Sequence, residues 1–279
     1  MSAVQQKPST NPSSQAMSTK TLALFLAFTF LLTWGLAACF MLFPESITAV
    51  FGEPGLSNPL VVLAIYAPGI VGVLVVIFQG GLKGLLSFLR RLTLWRIPLN
   101  WWLFLLLGIP AVVYTGAAIK RTLAEPFAFN PWTLVFPALL HALLLGPIEE
   151  FGWRGLALPL LQRKFAPFWA GLILGCIWAL WHVPSFVISG MPQSAWSAGP
   201  YFLGIIAISV IMTPLFNTSK GSLLIAILYH FQMMNPIFPD AQPWDNLIYV
   251  GVAILFVIFN RRAFFNRNGA MTEVFMTQH

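Results

Sequence analysis

The chain has 279 residues, 58% of them hydrophobic and only 8% charged, with a formal charge of +7. Soluble domains carry about 25% charged residues, so this composition excludes an ordinary soluble fold and indicates a polytopic membrane protein. The positive charge is therefore read against membrane topology first, and no nucleic-acid partner is expected. Cys39 and Cys176 both fall inside apolar runs, which speaks against a disulfide framework or a cysteine metal site.

In chain order, Met1–Lys20 is rich in Ser, Thr, Pro and Gln and reads as a disordered tail. Thr21–Phe43 has a signal-like start, and Leu36-Ala37-Ala38-Cys39 resembles the box before a lipid-modified cysteine. The apolar run continues past Cys39, however, as a span does and a cleaved leader does not. Further candidate spans are Pro59–Gln79, Trp101–Ile119, one beginning near Trp132, Phe168–Pro184, Tyr201–Phe216, Ser222–Asn235 and Trp244–Asn260, giving about eight. The expected architecture is all-α: a tail over 1–20, a helical membrane domain over 21–265 and a cytoplasmic tail over 266–279. The chemistry-bearing residues fall in spans four to seven.

With the N-terminus placed inside, twelve of the fifteen lysines and arginines fall on the cytoplasmic side. Lys120 and Arg121 alone fall outside, with Glu45, Glu53, Glu125, Asp240 and Asp245; Arg154 lies within a span. That asymmetry places both termini in the cytoplasm, with the cell membrane as the expected location. Leu82–Arg96 reads as a basic amphipathic segment on the inner leaflet, where Arg90, Arg91 and Arg96 meet lipid headgroups.

The costly residues are Glu149 and Glu150, adjacent acids between two apolar stretches. A carboxylate at mid-bilayer costs about 2.5–3.5 kcal/mol on insertion scales, so it defaults to a functional hypothesis. If the fourth helix runs to Leu161 and turns near Phe165, Glu149 lies 16 residues before the turn and His182 lies 17 after it. At 1.5 Å per residue both sit roughly 25 Å from the turn, at one depth. His230, 10 residues after Lys220, is compatible with the same layer, whereas His141 is not part of it.

Singly, each residue has a bland explanation: a packed histidine, or a neutralised Glu150–Arg154 pair at i, i+4. At matching depth they make sense together. Arg154 holds Glu150 as the anion and leaves Glu149 as a general base for water. His182 and His230 offer proton transfer, oxyanion stabilisation or metal ligation. Glu149, His182 and His230 also form an acceptable zinc shell with one open position.

Glu149-Glu150-x-x-x-Arg154, then Trp178-x-x-x-His182, then His230 resemble the CAAX-protease and bacteriocin-processing family of intramembrane proteases, the type II CAAX endopeptidases. The resemblance covers roughly residues 131–240, with Ala67-Pro68 and Leu89-Arg90-Arg91 also family-like. It implies a helical membrane endopeptidase in which Glu149 activates water, His182 assists, His230 helps hold the oxyanion, and Glu150 and Arg154 support them. Zinc is possible, and the partners are membrane lipids and a peptide or protein substrate cleaved near the cytoplasmic side. Two positions depart from the family pattern. Trp178 stands where Phe is usual, and Met234 stands where an oxyanion asparagine is usual, with Asn235 one residue later. That offset turns a side chain by about 100° on a regular helix. Asn235 therefore serves only if the helix loosens before Pro236. His-Glu-x-x-His, Gly-x-Gly-Asp and Gly-x-Ser-x-Gly signatures are absent. The alternative is a transporter or partner-binding scaffold built on the same polar cluster.

Overall fold

The computed structural model describes residues 17–276, so most of the expected N-terminal tail and the last three residues lie outside it. Among the described residues every regular element is helical. Six helices are long and apolar enough to cross a membrane, by length and composition, and two shorter apolar helices accompany them. In chain order we label these α1 (Thr19–Leu42), α2 (Pro44–Phe51, a short turn after α1), α3 (Pro59–Thr93), α4 (Leu99–Lys120), α5 (Trp132–Gln162), α6 (Pro167–Val187), α7 (Ala198–Thr218), α8 (Leu223–Met233) and α9 (Trp244–Phe259). The apolar runs thus become eight helices near their expected places. Ser18 caps α1, Asn58 caps α3 and Ser222 caps α8, each side chain accepting from first-turn N–H groups.

α5 is the irregular element, and its prolines explain why. Pro147 opens a 3-10 turn over Pro147–Glu149, and a π turn over Trp153–Ala157 follows it. Pro159 has no N–H for the carbonyls one turn back. Arg91 fills that vacancy: its Nη1 donates to Gly155 O at 2.8 Å and its Nη2 to Arg154 O at 3.5 Å. The same guanidinium donates to Gly221 O at 2.7 Å and Val274 O at 3.2 Å. Arg91 is 2% exposed, so it is an internal clamp on α5. It does not face the inner leaflet as an amphipathic reading expects, because freed carbonyls outbid water and headgroups for its fork of donors.

α3 and α5 cross on small residues. A Cβ at Gly72 would lie 2.9 Å from Gly152 Cα, and one at Gly152 would lie 2.2 Å from Pro68 O. Such close backbone approach is how membrane helices associate without a hydrophobic driving force between them. After the short helix α10 (Arg261–Phe265), the C-terminal segment returns over the basic end of the bundle. Val274 and Phe275 are buried there, and the Phe275 ring fills a groove made by Gly80 and Gly84. Gln162 and Asn217 exchange two amide hydrogen bonds, at 2.9 and 2.7 Å, beneath that segment.

Candidate active site

Glu149 ends the 3-10 turn and Glu150 begins the next helical turn, so the two side chains diverge and take different partners. Glu149 Oε2 accepts from two indoles, Trp178 Nε1 at 2.8 Å and Trp153 Nε1 at 3.2 Å. Among the described residues its other oxygen has no donor, and it borders a cavity of about 210 Å³. Glu150, with no exposed surface, accepts at Oε1 from Arg154 Nη1 at 3.0 Å and from His230 Nδ1 at 2.7 Å. Arg154 is also fully buried, with its guanidinium carbon 4.4 Å from the Trp178 ring centroid. Cation–π attraction at this buried position adds to the ion pair there.

His182 ends the main run of α6, where the last carbonyls of a helix lack partners. Trp178 O takes the His182 Nδ1–H at 2.8 Å. A carbonyl only accepts, so Nδ1 carries the proton and Nε2 the lone pair. Ser185 Oγ donates to His182 O at 2.7 Å, and the His182 ring packs edge-on against Trp181 and Tyr201. His230 lies in the last turn of α8 with its Nε2 towards Gly146, whose Cβ, if present, would be 2.9 Å from that nitrogen. Glu149, His182 and His230 line the same cavity.

The structure therefore brings together Glu149, Glu150, Arg154, His182 and His230. It does not bring in Asn235. That side chain donates to Gln232 Oε1 at 3.0 Å and accepts from Ile237 N at 3.2 Å, outside the cavity. Met234 takes the wall position, its sulfur against Gly146. The helical ladder ends at Met233, so the chain loosens as proline at 236 requires, but the turn sends Asn235 away from the site.

The hairpin register is also refined. Glu149 bonds to Trp178, one helical turn nearer the α5–α6 turn than His182. The π turn packs more residues into the same length of α5, which draws Glu149 towards that turn. Two side chains at the candidate site escaped the sequence reading: Trp153 and Trp178 as donors to Glu149. Their signal was there, since Trp153 is four residues after Glu149 and an indole, unlike the usual phenylalanine, has an N–H.

As ligands, both imidazoles have chemistry suited to zinc. Each donates Nδ1–H to a fixed acceptor, the orientation that leaves Nε2 for a metal. The spacing does not match the donors: among the described residues no group of three His, Cys, Asp or Glu side chains stands together to hold an ion.

Fold and site together define a polytopic helical membrane protein with a buried carboxylate–imidazole centre. Residues 131–235 match the family described as "Type II CAAX prenyl endopeptidase Rce1-like", and this segment holds every site residue named above. A "CAAX prenyl protease 2" of Methanococcus maripaludis is 29% identical over 178 residues, 60% of this chain and 64% of that protein. The match thus spans a little under two thirds of the relative's length. The family resemblance carried by the motifs holds over the segment that forms the site.

Proposed function

We propose that the protein is an intramembrane endopeptidase that hydrolyses a peptide bond in a membrane-associated protein or peptide. The observation that carries this reading is the split environment of Glu149. One oxygen is anchored by two indoles, and the other is open to a cavity shared with two imidazoles. Glu150, by contrast, is paired with Arg154 and His230 and does not line that cavity.

In the proposed reaction a water held by Glu149 Oε1 gives up a proton as its oxygen adds to the scissile carbonyl carbon. The C–N bond then breaks, and that proton passes to the departing amine. His182 Nε2 accepts a hydrogen bond from the water and turns it towards the carbonyl, its ring held by Trp178 O and two aromatic neighbours. His230 balances the oxyanion when it carries a proton on Nε2, with the Glu150 carboxylate at 2.7 Å as its counter-charge. Glu150 and Arg154 therefore position His230 and keep the second carboxylate away from the water.

The test is peptide cleavage by purified protein. Glu149→Gln and His182→Ala each remove cleavage while leaving thermal unfolding unchanged; normal cleavage by both variants overturns the assignment. Full activity after rigorous metal removal overturns the zinc reading.

A further inference from the structure

Residues 266–276, past α10, belong to no helix, yet they are held like a bound peptide. Gly269, at φ 89°, reverses the chain in the left-handed region that glycine enters freely. The backbone beyond it has no helical ladder, so its polar groups need side-chain partners. They find them at the ends of α3, α5 and α7. Met271 N donates to Asn217 Oδ1 at 3.0 Å, and Met271 O accepts from Gln162 Nε2 at 3.0 Å. Thr272 O accepts from Arg163 Nε at 2.9 Å, Val274 O from Arg91 Nη1 at 3.2 Å and Met276 O from Ser87 Oγ at 3.0 Å. Val274 and Phe275 add a buried plug; a Cβ at Gly80 or Gly84 would stand 2.8 or 3.0 Å from the Phe275 ring.

This segment reaches the site through one residue. Arg91 Nη1 is shared between Val274 O and Gly155 O, at 3.2 and 2.8 Å, while Nη2 reaches Arg154 O. Gly155 and Arg154 belong to the π turn of α5, and so does Trp153. From that turn Trp153 Nε1 donates to Glu149 and Arg154 Nη1 to Glu150. Arg91 is buried, so withdrawing Val274 O leaves a guanidinium N–H without its acceptor, a costly state that favours rearrangement of the fork. The π turn moves with the fork, because Arg91 supplies the N–H that Pro159 lacks. None of Ser87, Arg91, Gln162, Asn217 and Phe275 lines the cavity. Loss of the segment therefore acts on the carboxylates and leaves the surface that meets substrate in place.

We propose that residues 271–276 are a detachable positioning strap for the reaction. Docked, they fix Arg91 on the π turn and so hold Glu149 and Glu150 in their working geometry. Released, they let the turn relax, and cleavage slows while substrate binding persists. The groove between the ends of α3, α5 and α7 is thus a binding site for one extended peptide, this chain's own C-terminal segment. It recognises that peptide by its backbone and by the aromatic ring of Phe275. A cut in the exposed turn at 266–269 is the event that frees the strap. The inference rests on the endopeptidase reading.

The test starts from folded, full-length protein with a recognition site for an added protease inserted after Gly269, where a Cβ meets nothing within 4 Å. Cutting there and washing the segment away is expected to lower kcat by about 10-fold or more, with KM within about 2-fold, because small displacements of catalytic groups are costly. A synthetic peptide of residues 270–279, added back, is expected to restore kcat, and the same peptide carrying Phe275→Ala is expected not to. Unchanged kcat after washing, or a loss that the peptide fails to restore, overturns the strap. If the cut segment stays bound, uncut chains decide. Phe275→Ala is then expected to lower kcat alone, and Phe275→Leu, which refills the groove, to recover most of it; wild-type kcat in Phe275→Ala overturns the proposal. Absence of cleavage before any cut overturns the peptidase reading by itself. The strap is then judged by labelled peptide on cut, washed protein, where absence of binding, or binding that leaves the melting temperature unchanged, overturns it.

Discussion

Trp178 Nε1 donates to Glu149 Oε2 at 2.8 Å, and the same ring lies 4.4 Å under the Arg154 guanidinium. One side chain thus anchors the proposed base and shields the ion pair behind it. Trp178→Phe keeps the ring and removes the donor. Hydrogen bonds to charged groups contribute about 1.5–3 kcal/mol, which corresponds to roughly 10–100-fold in rate. We expect that loss in kcat, little change in KM, and a melting temperature close to wild type. An unchanged kcat would show that Trp153 alone holds Glu149.

Gly146 admits His230 to the cavity. A Cβ there would stand 2.1 Å from Met234 Sδ and 2.9 Å from His230 Nε2. The flexible thioether can move aside, whereas the imidazole is fixed by Glu150. Gly146→Ala should therefore lower kcat by more than about 10-fold, and adding Met234→Ala should not restore it. Steady-state kinetics on the single and double variants check this; recovery in the double variant would place the obstruction at the methionine instead.

Glu150→Gln breaks a buried pair whose other members, Arg154 and His230, are themselves buried. Removing one partner of such a pair costs about 3–5 kcal/mol because the remaining charge is uncompensated. This variant should lose both activity and stability, whereas Glu149→Gln should lose activity alone. Thermal unfolding beside cleavage assays separates the two carboxylates.

Arg91→Lys tests the clamp. A lysine presents one compact head where Arg91 reaches the carbonyls of Gly155, Gly221 and Val274. The melting temperature should fall and proteolysis of the C-terminal segment should quicken. Intact behaviour on both measures would mean that Phe275 in its glycine groove suffices to hold that segment.

Asn235→Ala should leave cleavage within about 2-fold of wild type, because the side chain bonds to Gln232 and Ile237 N. A drop of the size given by Glu149→Gln would return the asparagine to the oxyanion.

The sequence by itself determined the helical membrane class, the number and place of the apolar helices, and five polar residues that the structure brings together. Hydropathy and the high cost of buried charge act locally along the chain, so Glu149, Glu150, Arg154, His182 and His230 stood out from their apolar neighbours before any fold was known. The i, i+4 spacing already gave Glu150–Arg154, and only the tertiary structure decided the other pairings. A regular-helix count set Glu149 level with His182, but Pro147 and Pro159 changed the winding of α5 and brought it to Trp178. Arg91 read as a surface charge because nothing nearby in sequence shows that α5 leaves carbonyls free for it. Short-range energetics selects the residues, and packing between segments far apart in sequence, most clearly of the 271–276 segment over Gly80 and Gly84, assigns their partners.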